Sequence, residues 1–146
     1  MSVRLAGPPR GTRGLSRRQV LAEARALLAA LGREDAELSV ALVGDAAGAK
    51  LNRAWRGRPG ATDVLSFSLL EGAHARHRGA LLGDVVIAVG VARRQAREQG
   101  HPLADECLRL LIHGVLHLLG YDHARPAEAR VMRAKEQALW RRLRGD

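Results

Sequence analysis

Hydrophobic residues recur at helical spacing in three stretches of the chain. The first runs from Arg17 to Leu31, where Ser16 can cap the start of the helix. The apolar face of this helix is formed by Val20, Leu21, Ala24, Leu27, Leu28 and Leu31. Leu103 to Leu119 is the most apolar helix, and Gly120 terminates it. The last helix covers Pro126 to Leu143, with the proline in its first turn.

Three other runs have the character of β-strands. Glu37 to Val43 alternates apolar and small or polar residues, which is typical of a strand with one buried face. Thr62 to Leu70 is predicted as a second strand. Ala80 to Val89 is a strongly β-type run that Gly90 ends. These strands alternate with helices in mixed order, which favours an α+β domain with a small sheet.

The segments between these elements are shorter or polar. Asp45 caps a short helix through Trp55, and a loop from Arg56 to Ala61 follows. Glu71 to Gly79 is polar and is predicted to be a mobile loop. A helix from Val91 to Gln99 is closed by Gly100. No repeat or low-complexity linker divides the chain.

Length and composition indicate one globular domain over residues 1–146. A chain of 146 residues suits one domain and can bury a core without disulfides. Hydrophobic residues make up 47% of it, an ordinary globular content. The single cysteine, Cys107, lies in an apolar helical stretch and is interpreted as a small buried hydrophobe.

Nothing in the sequence indicates a membrane or a secretory route. Met1 to Leu15 is rich in Gly, Pro and Arg and has no apolar run. No stretch approaches the roughly 18 apolar residues of a membrane span. We therefore expect a cytoplasmic protein.

The net charge of the chain indicates the class of its binding partner. Lys and Arg number 24 against 15 Asp and Glu, a formal net charge of +9. A basic domain is attracted to polyanions, and nucleic acid is the commonest in a cytoplasm. A general enrichment of the chain in Arg and Ala would give the same charge, so charge alone does not identify the partner.

The most informative segment contains three histidines. His113 and His117 are four residues apart and therefore lie on one face of a helix. Gly120 can take the left-handed conformation that ends a helix, and the chain then turns back so that His123 can approach the same ion. A lone histidine on this helix would be typical of a core residue, but three at this spacing favour a metal site.

Three neutral imidazoles leave one tetrahedral position open, as in a catalytic zinc site. Zinc would lower the pKa of a water molecule at that position to about 7, so the water would ionise near neutral pH. We therefore predict one bound Zn²⁺, although a three-histidine site also accepts other divalent metals.

The spacing His-x-x-x-His-x-x-Gly-x-x-His is that of the metzincin metalloproteases. In those enzymes a glutamate follows the first histidine and acts as general base, whereas here the position is Gly114. A peptidase would therefore lack its usual proton acceptor.

Other polar residues are assigned smaller roles. Asp122 could accept a hydrogen bond from a metal-binding histidine and so orient it, or it could be a turn residue. His74 and His77 are interpreted as solvated, and His101, before Pro102, as structural.

At this point the chain resembles the YbeY family of bacterial endoribonucleases and ribosomal RNA maturation factors. The run from His113 to His123 resembles the family signature. Three further stretches agree in order and spacing, and together the similarity covers roughly Leu38 to Leu139. They are Leu51-Asn52-Arg53-Ala54-Trp55-Arg56-Gly57, Thr62-Asp63-Val64-Leu65-Ser66-Phe67 and Leu82-Gly83-Asp84-Val85-Val86-Ile87.

The resemblance implies a zincin-like fold with a small mixed sheet flanked by helices. It implies cleavage of single-stranded RNA in ribosomal RNA maturation, notably at the 3′ end of 16S rRNA, and in ribosome quality control. The small subunit and assembly proteins would be the partners. Arg56 is implied as a catalytic arginine facing the substrate groove, since a guanidinium can bind a phosphate bidentately and stabilise charge that develops on it. Arg53 and Arg58 would then draw in the strand.

The chain departs from the family pattern at a few positions. Ala61 and Ser68 stand where proline is usual, and Trp55 replaces tyrosine. The N-terminal strand of the family is diluted here by Pro8, Pro9 and Gly11.

Two alternatives to a ribonuclease stay open at this point. One is a ribosome-assembly factor in which zinc is structural, and a fourth protein ligand would favour it. An Arg56→Glu variant that binds RNA but does not cut it would argue against that factor. The other is a metalloprotease, against which Gly114 and the basic charge both speak.

Overall fold

A computed structural model describes residues 2–56, 64–68 and 81–145. Four strands and five α-helices occupy this part of the chain, followed by a short π-helical turn. In chain order they are β1 Ser2–Ala6, α1 Arg17–Ala30, β2 Glu37–Val43, α2 Asp45–Arg56, β3 Val64–Ser68, β4 Leu81–Ala88, α3 Val89–Gln99, α4 Leu103–Leu118, α5 Pro126–Trp140 and the turn Arg141–Gly145.

The four strands form one mixed sheet in the order β1-β2-β4-β3. β1 and β4 both run parallel to β2, placing Leu5 and Val85 on either side of Val40. β3 pairs antiparallel with β4, with Leu65 opposite Val86. The predicted α+β class with a small mixed sheet flanked by helices is thus confirmed.

The alternation predicted for β2 places one of its faces in the core. Leu38, Val40 and Leu42 are buried while the residues between them are half-buried. Side chains of a strand point alternately to its two faces, so these three line the same side.

The apolar face predicted for α1 also packs inward. Its buried residues are Val20, Ala24, Leu27 and Leu28. The Ser16 hydroxyl accepts a hydrogen bond from the Gln19 N–H at 3.3 Å, which confirms Ser16 as the N-cap.

Helix α4 lies at the centre of the fold and packs against α1, α3, α5, β3 and β4. Eleven of its 16 residues are buried, so its position is fixed from several sides. One of them is Cys107, as predicted, and burial raises the pKa of its thiol to about 12. The histidines on α4 are therefore carried by a rigid element.

The junction of β4 and α3 differs from the prediction. The strand ends at Ala88, and Val89 and Gly90 form the first turn of α3 instead of the end of a strand. Gly90 is explained by a close approach, because a Cβ there would clash with the Asp45 carboxylate. A residue without a side chain lets α2 and α3 come together at this point.

The two ends of the chain differ as well. β1 forms ahead of Pro8 and Pro9, since both prolines follow the last strand residue, Ala6. At the other end α5 stops at Trp140, and the π-helical turn replaces the predicted continuation to Leu143.

The observed bounds of α2 and β3 can also be compared with the predicted ones. Asp45 is the first residue of α2, which extends to Arg56 instead of Trp55. β3 covers Val64–Ser68 within the predicted strand, and positions 62–63 and 69–70 lie outside the described residues. The predicted loop at 71–79 lies outside the described residues.

Candidate metal centre

The end of α4 is shaped by a glycine. Gly120 has a φ of +99°, in the left-handed region. Its N–H donates to the His117 carbonyl at 3.0 Å, and the Tyr121 N–H donates to the Leu116 carbonyl at 3.0 Å. This pair of bonds is a Schellman motif, which ends the helix and reverses the chain. The predicted role of Gly120 is confirmed, and the reversal places His123 beside α4.

The three histidines converge. One ligand atom from each of His113, His117 and His123 lies within 4.8 Å of the other two. The ring centroids are 4.6 Å apart for His113 and His117, 5.1 Å for His117 and His123, and 5.5 Å for His113 and His123. The first two side chains are half-buried and the third is exposed. The predicted cluster is thus close enough to hold a metal ion.

The nitrogen positions fit a tetrahedral metal. Two imidazole nitrogens at zinc–nitrogen distances of about 2.05 Å lie about 3.3 Å apart in a tetrahedron. The Nε2 atoms of His113 and His117 are 3.1 Å apart. His123, the third candidate ligand, is exposed on the loop that follows the helix.

Glu136 of α5 fixes one of the rings. Its Oε2 lies 2.9 Å from Nδ1 of His113. A carboxylate only accepts hydrogen bonds, so Nδ1 of His113 is the donor to Glu136, and Nε2 is the ring nitrogen on the side of the cluster. Such a carboxylate behind a metal-binding histidine holds its tautomer and orientation. Sequence reasoning missed Glu136, since only the packing of α5 on α4 brings it to His113.

Replacing Glu136 by alanine is expected to weaken zinc binding about 10- to 100-fold, because His113 loses its orienting partner. Competition with a zinc-chelating dye measures the change. Gln137→Ala, an exposed neighbour on α5, is the matched control and should bind zinc like the unaltered protein. Equal affinity of the two variants would show that Glu136 does not support a metal ligand.

The electrostatics of the cluster favour the neutral form of His117. Burial lowers the pKa of His117, and the neighbouring His113 and His123 lower it further. Asp122 and a backbone hydrogen bond at Tyr121 oppose this shift only in part. His117 is therefore uncharged at neutral pH, which is the form that binds a metal.

Asp122 makes a contact within the turn. Its Oδ1 accepts a hydrogen bond from the His123 backbone N–H at 2.7 Å. That contact suits a turn residue, which was one of the two interpretations, and it fixes the backbone of a candidate ligand. A direct role of Asp122 in orienting an imidazole stays a prediction.

The arginines named from the sequence lie near the end of α2. Arg53 is exposed on that helix, and Arg56 is its last residue. Arg58, like His74 and His77, lies outside the described residues. Gly114, at the position of the protease glutamate, is buried within α4.

His101 has the structural surroundings expected for it. Its Nε2 lies 2.6 Å from Oε1 of Glu106, a glutamate with 0% exposure. The second oxygen of Glu106 accepts from Arg109 at 2.6 Å. This buried network belongs to the start of α4 and is separate from the three histidines.

The sequence matches a known protein family over most of its length. The family model described as endoribonuclease YbeY matches residues 14–144. The chain belongs to the YbeY family. An endoribonuclease YbeY of Anaeromyxobacter dehalogenans is 54% identical over 142 residues, covering 97% of this chain and 71% of the relative. That of Persephonella marina is 41% identical over 135 residues, covering 92% and 88%.

The fold is similar to that of a solved structure. The solution structure of TM1509 from Thermotoga maritima matches with a TM-score of 0.60 and 25% identity. The match covers 97% of this chain and 91% of that one. Among the described residues of this YbeY family member, no helix combines the length and apolar character needed to cross a bilayer.

Proposed function

We propose that this protein is a zinc-dependent, single-strand-specific endoribonuclease that matures ribosomal RNA, at the 3′ end of 16S rRNA, and acts in ribosome quality control in the cytoplasm. The observation that carries the proposal is the convergence of three imidazoles within 4.8 Å in a chain of the YbeY family. The family name supplies the reaction class, cleavage of an internal RNA phosphodiester, and the three histidines are the proposed place for it.

His113, His117 and His123 would hold the metal, with Glu136 orienting His113. When bound, zinc supplies Lewis-acid chemistry, polarising a phosphoryl oxygen and making water more acidic. Because its ligands are neutral, the site keeps the full double positive charge of the ion, which suits an anionic phosphodiester. Attack by the RNA 2′-hydroxyl and attack by water both fit this arrangement.

The substrate would be gripped by arginines. We assign phosphate binding to Arg56, and the drawing-in of the strand to Arg53 and Arg58. A guanidinium offers a fork of donors that matches two phosphate oxygens, and it keeps its charge at every relevant pH. The net charge of +9 supports a polyanionic partner, which we propose to be ribosomal RNA within the small subunit and its assembly proteins.

A protease is disfavoured by the position after His113. Gly114 is buried in α4 and has no side chain, so it cannot accept a proton from an attacking water. Glu136 does not replace it, because its carboxylate is engaged by Nδ1 of His113, the ring nitrogen remote from the Nε2 that faces the cluster.

The test is cleavage with and without metal. The purified full-length chain should contain about one zinc per molecule and cut a single-stranded ribosomal RNA fragment, leaving a double-stranded RNA of the same sequence intact. Chelation should abolish cutting, and zinc should restore it. Mass spectrometry measures the metal, and gel electrophoresis of end-labelled RNA measures cleavage. Undiminished cleavage by fully metal-stripped protein would overturn the proposal.

A further inference from the structure

A cavity lies against the loop segment that leads to His123. It has a volume of about 320 Å³ and lies between the turn that follows α4 and the first two turns of α5. Its lining residues are Gly120, Tyr121, Asp122, Ala127, Glu128 and Val131. Three of these immediately precede His123 in the chain, so the backbone connects the cavity wall directly to one of the candidate metal ligands.

The walls of the cavity are suited to a flat apolar group. Tyr121 contributes a partly exposed aromatic ring. Val131 is 59% exposed, which stands out among the large hydrophobic residues of the described chain. Unpaired RNA bases are commonly bound by stacking on aromatic side chains and by apolar contacts.

The charge of the cavity differs from that of the protein. Its six lining residues, all within the described chain, include two carboxylates, Asp122 and Glu128, and no cation. Arg125 is the nearby positive charge, with its Nε 3.8 Å from Glu128 Oε1, but it is 85% exposed. Two carboxylates repel a phosphate, so the backbone of a bound strand is excluded from this cavity.

We propose that this cavity is a nucleobase subsite that selects a base carrying an exocyclic amino group. The inference rests on the proposed ribonuclease function and names a specificity element for it. A carboxylate accepts a hydrogen bond from the amino group of cytosine, adenine or guanine, whereas uracil has none to offer. The base stacks on Tyr121 and Val131 while Glu128 accepts from its amino group, and the strand continues past His123.

The experiment compares oligocytidine with oligouridine, which have the same ring size and differ at the amino group. Binding of short 2′-O-methyl strands to the zinc-loaded full-length chain is measured by fluorescence anisotropy, with strand integrity checked on a gel. The unaltered protein should bind oligocytidine at least about 5-fold more tightly. Glu128→Gln should bring this ratio close to one, because an amide donates as well as accepts.

A second variant tests the apolar wall. Val131→Glu should weaken binding of oligocytidine at least about 5-fold relative to Ala138→Glu. The control adds the same charge at an exposed position about 10 Å further along α5. Both native side chains are exposed, so both variants should fold.

The outcomes separate the two proposals. Equal binding of the two strands by the unaltered protein, an unchanged ratio in Glu128→Gln, or equal binding by Val131→Glu and Ala138→Glu would each overturn the subsite. Failure of the zinc-loaded protein to cut unmodified single-stranded RNA would overturn the ribonuclease proposal and leave the binding results to decide on the subsite.

Discussion

His117→Ala is expected to lose nearly all bound zinc and at least about a thousandfold of the RNA cleavage rate. The ring of His117 is close to both other rings, with centroid distances of 4.6 Å to His113 and 5.1 Å to His123. Without it, two neutral imidazoles remain, one of them exposed, and two such ligands do not hold a divalent ion tightly. Metal analysis and single-turnover cleavage of the same preparation measure both effects.

The fold should survive this change. His117 is half-buried near the end of α4, and alanine is the best helix former, so the loss can be assigned to the site. His77→Ala is the matched control, a histidine outside the motif, and should keep both zinc and activity. Cleavage retained by metal-free His117→Ala would demonstrate a metal-independent route and contradict the proposed chemistry.

The metal cluster was predictable because its determinants are local. The four-residue spacing of His113 and His117 sets their common face on any α-helix, and Gly120 adopts the left-handed conformation that ends this one. Together they bring His123 back without help from the rest of the fold. The apolar face of α1 was predictable for the same reason, since periodicity places Val20, Ala24, Leu27 and Leu28 on the buried side, although Leu21 and Leu31 are only half-buried.

Features that depend on tertiary packing were not predictable. Glu136 lies 23 residues beyond His113, and only the packing of α5 on α4 brings the two together. The observed start of α3 differs from the prediction because residues 85–91 are almost uniformly apolar, and such a run does not distinguish a buried strand from a buried helix. The sequence predicts that Gly90 ends a strand, whereas the structure explains this glycine by the approach of Asp45 from α2.

The burial of the charged Glu106 is another feature that depends on tertiary packing. Nothing in its neighbourhood along the chain marks it as inaccessible, yet its exposure is 0%. It is tolerated because His101 and Arg109 both reach its carboxylate at 2.6 Å. Removing either the buried carboxylate or its partners strongly destabilises such a network, because a charged group is left without its counterpart.

Replacing Glu106 by glutamine is therefore expected to lower the free energy of unfolding by about 3 kcal/mol at neutral pH. This value is at the low end for a buried pair, since Arg109 and His101 are 47% and 28% exposed and recover some hydration. Urea denaturation measures it. Glu98→Gln, an exposed glutamate on α3, is the control and should change stability by no more than about 0.5 kcal/mol.

The pH dependence identifies the carboxylate as the cause. Burial alone would raise the pKa of Glu106, but hydrogen bonds from Arg109 and His101 outweigh it and hold the pKa below its usual 4.5. The ionised group therefore stabilises the fold fully above pH 4.5. As pH falls below that value, the unfolded chain takes up the proton first, and the contribution is lost through the folded-state pKa. The difference between the unaltered protein and Glu106→Gln should shrink over this acidic window. A difference that stayed constant over this window would mean that glutamine destabilises the fold through packing. The charge of Glu106 would then contribute nothing to the free energy of unfolding.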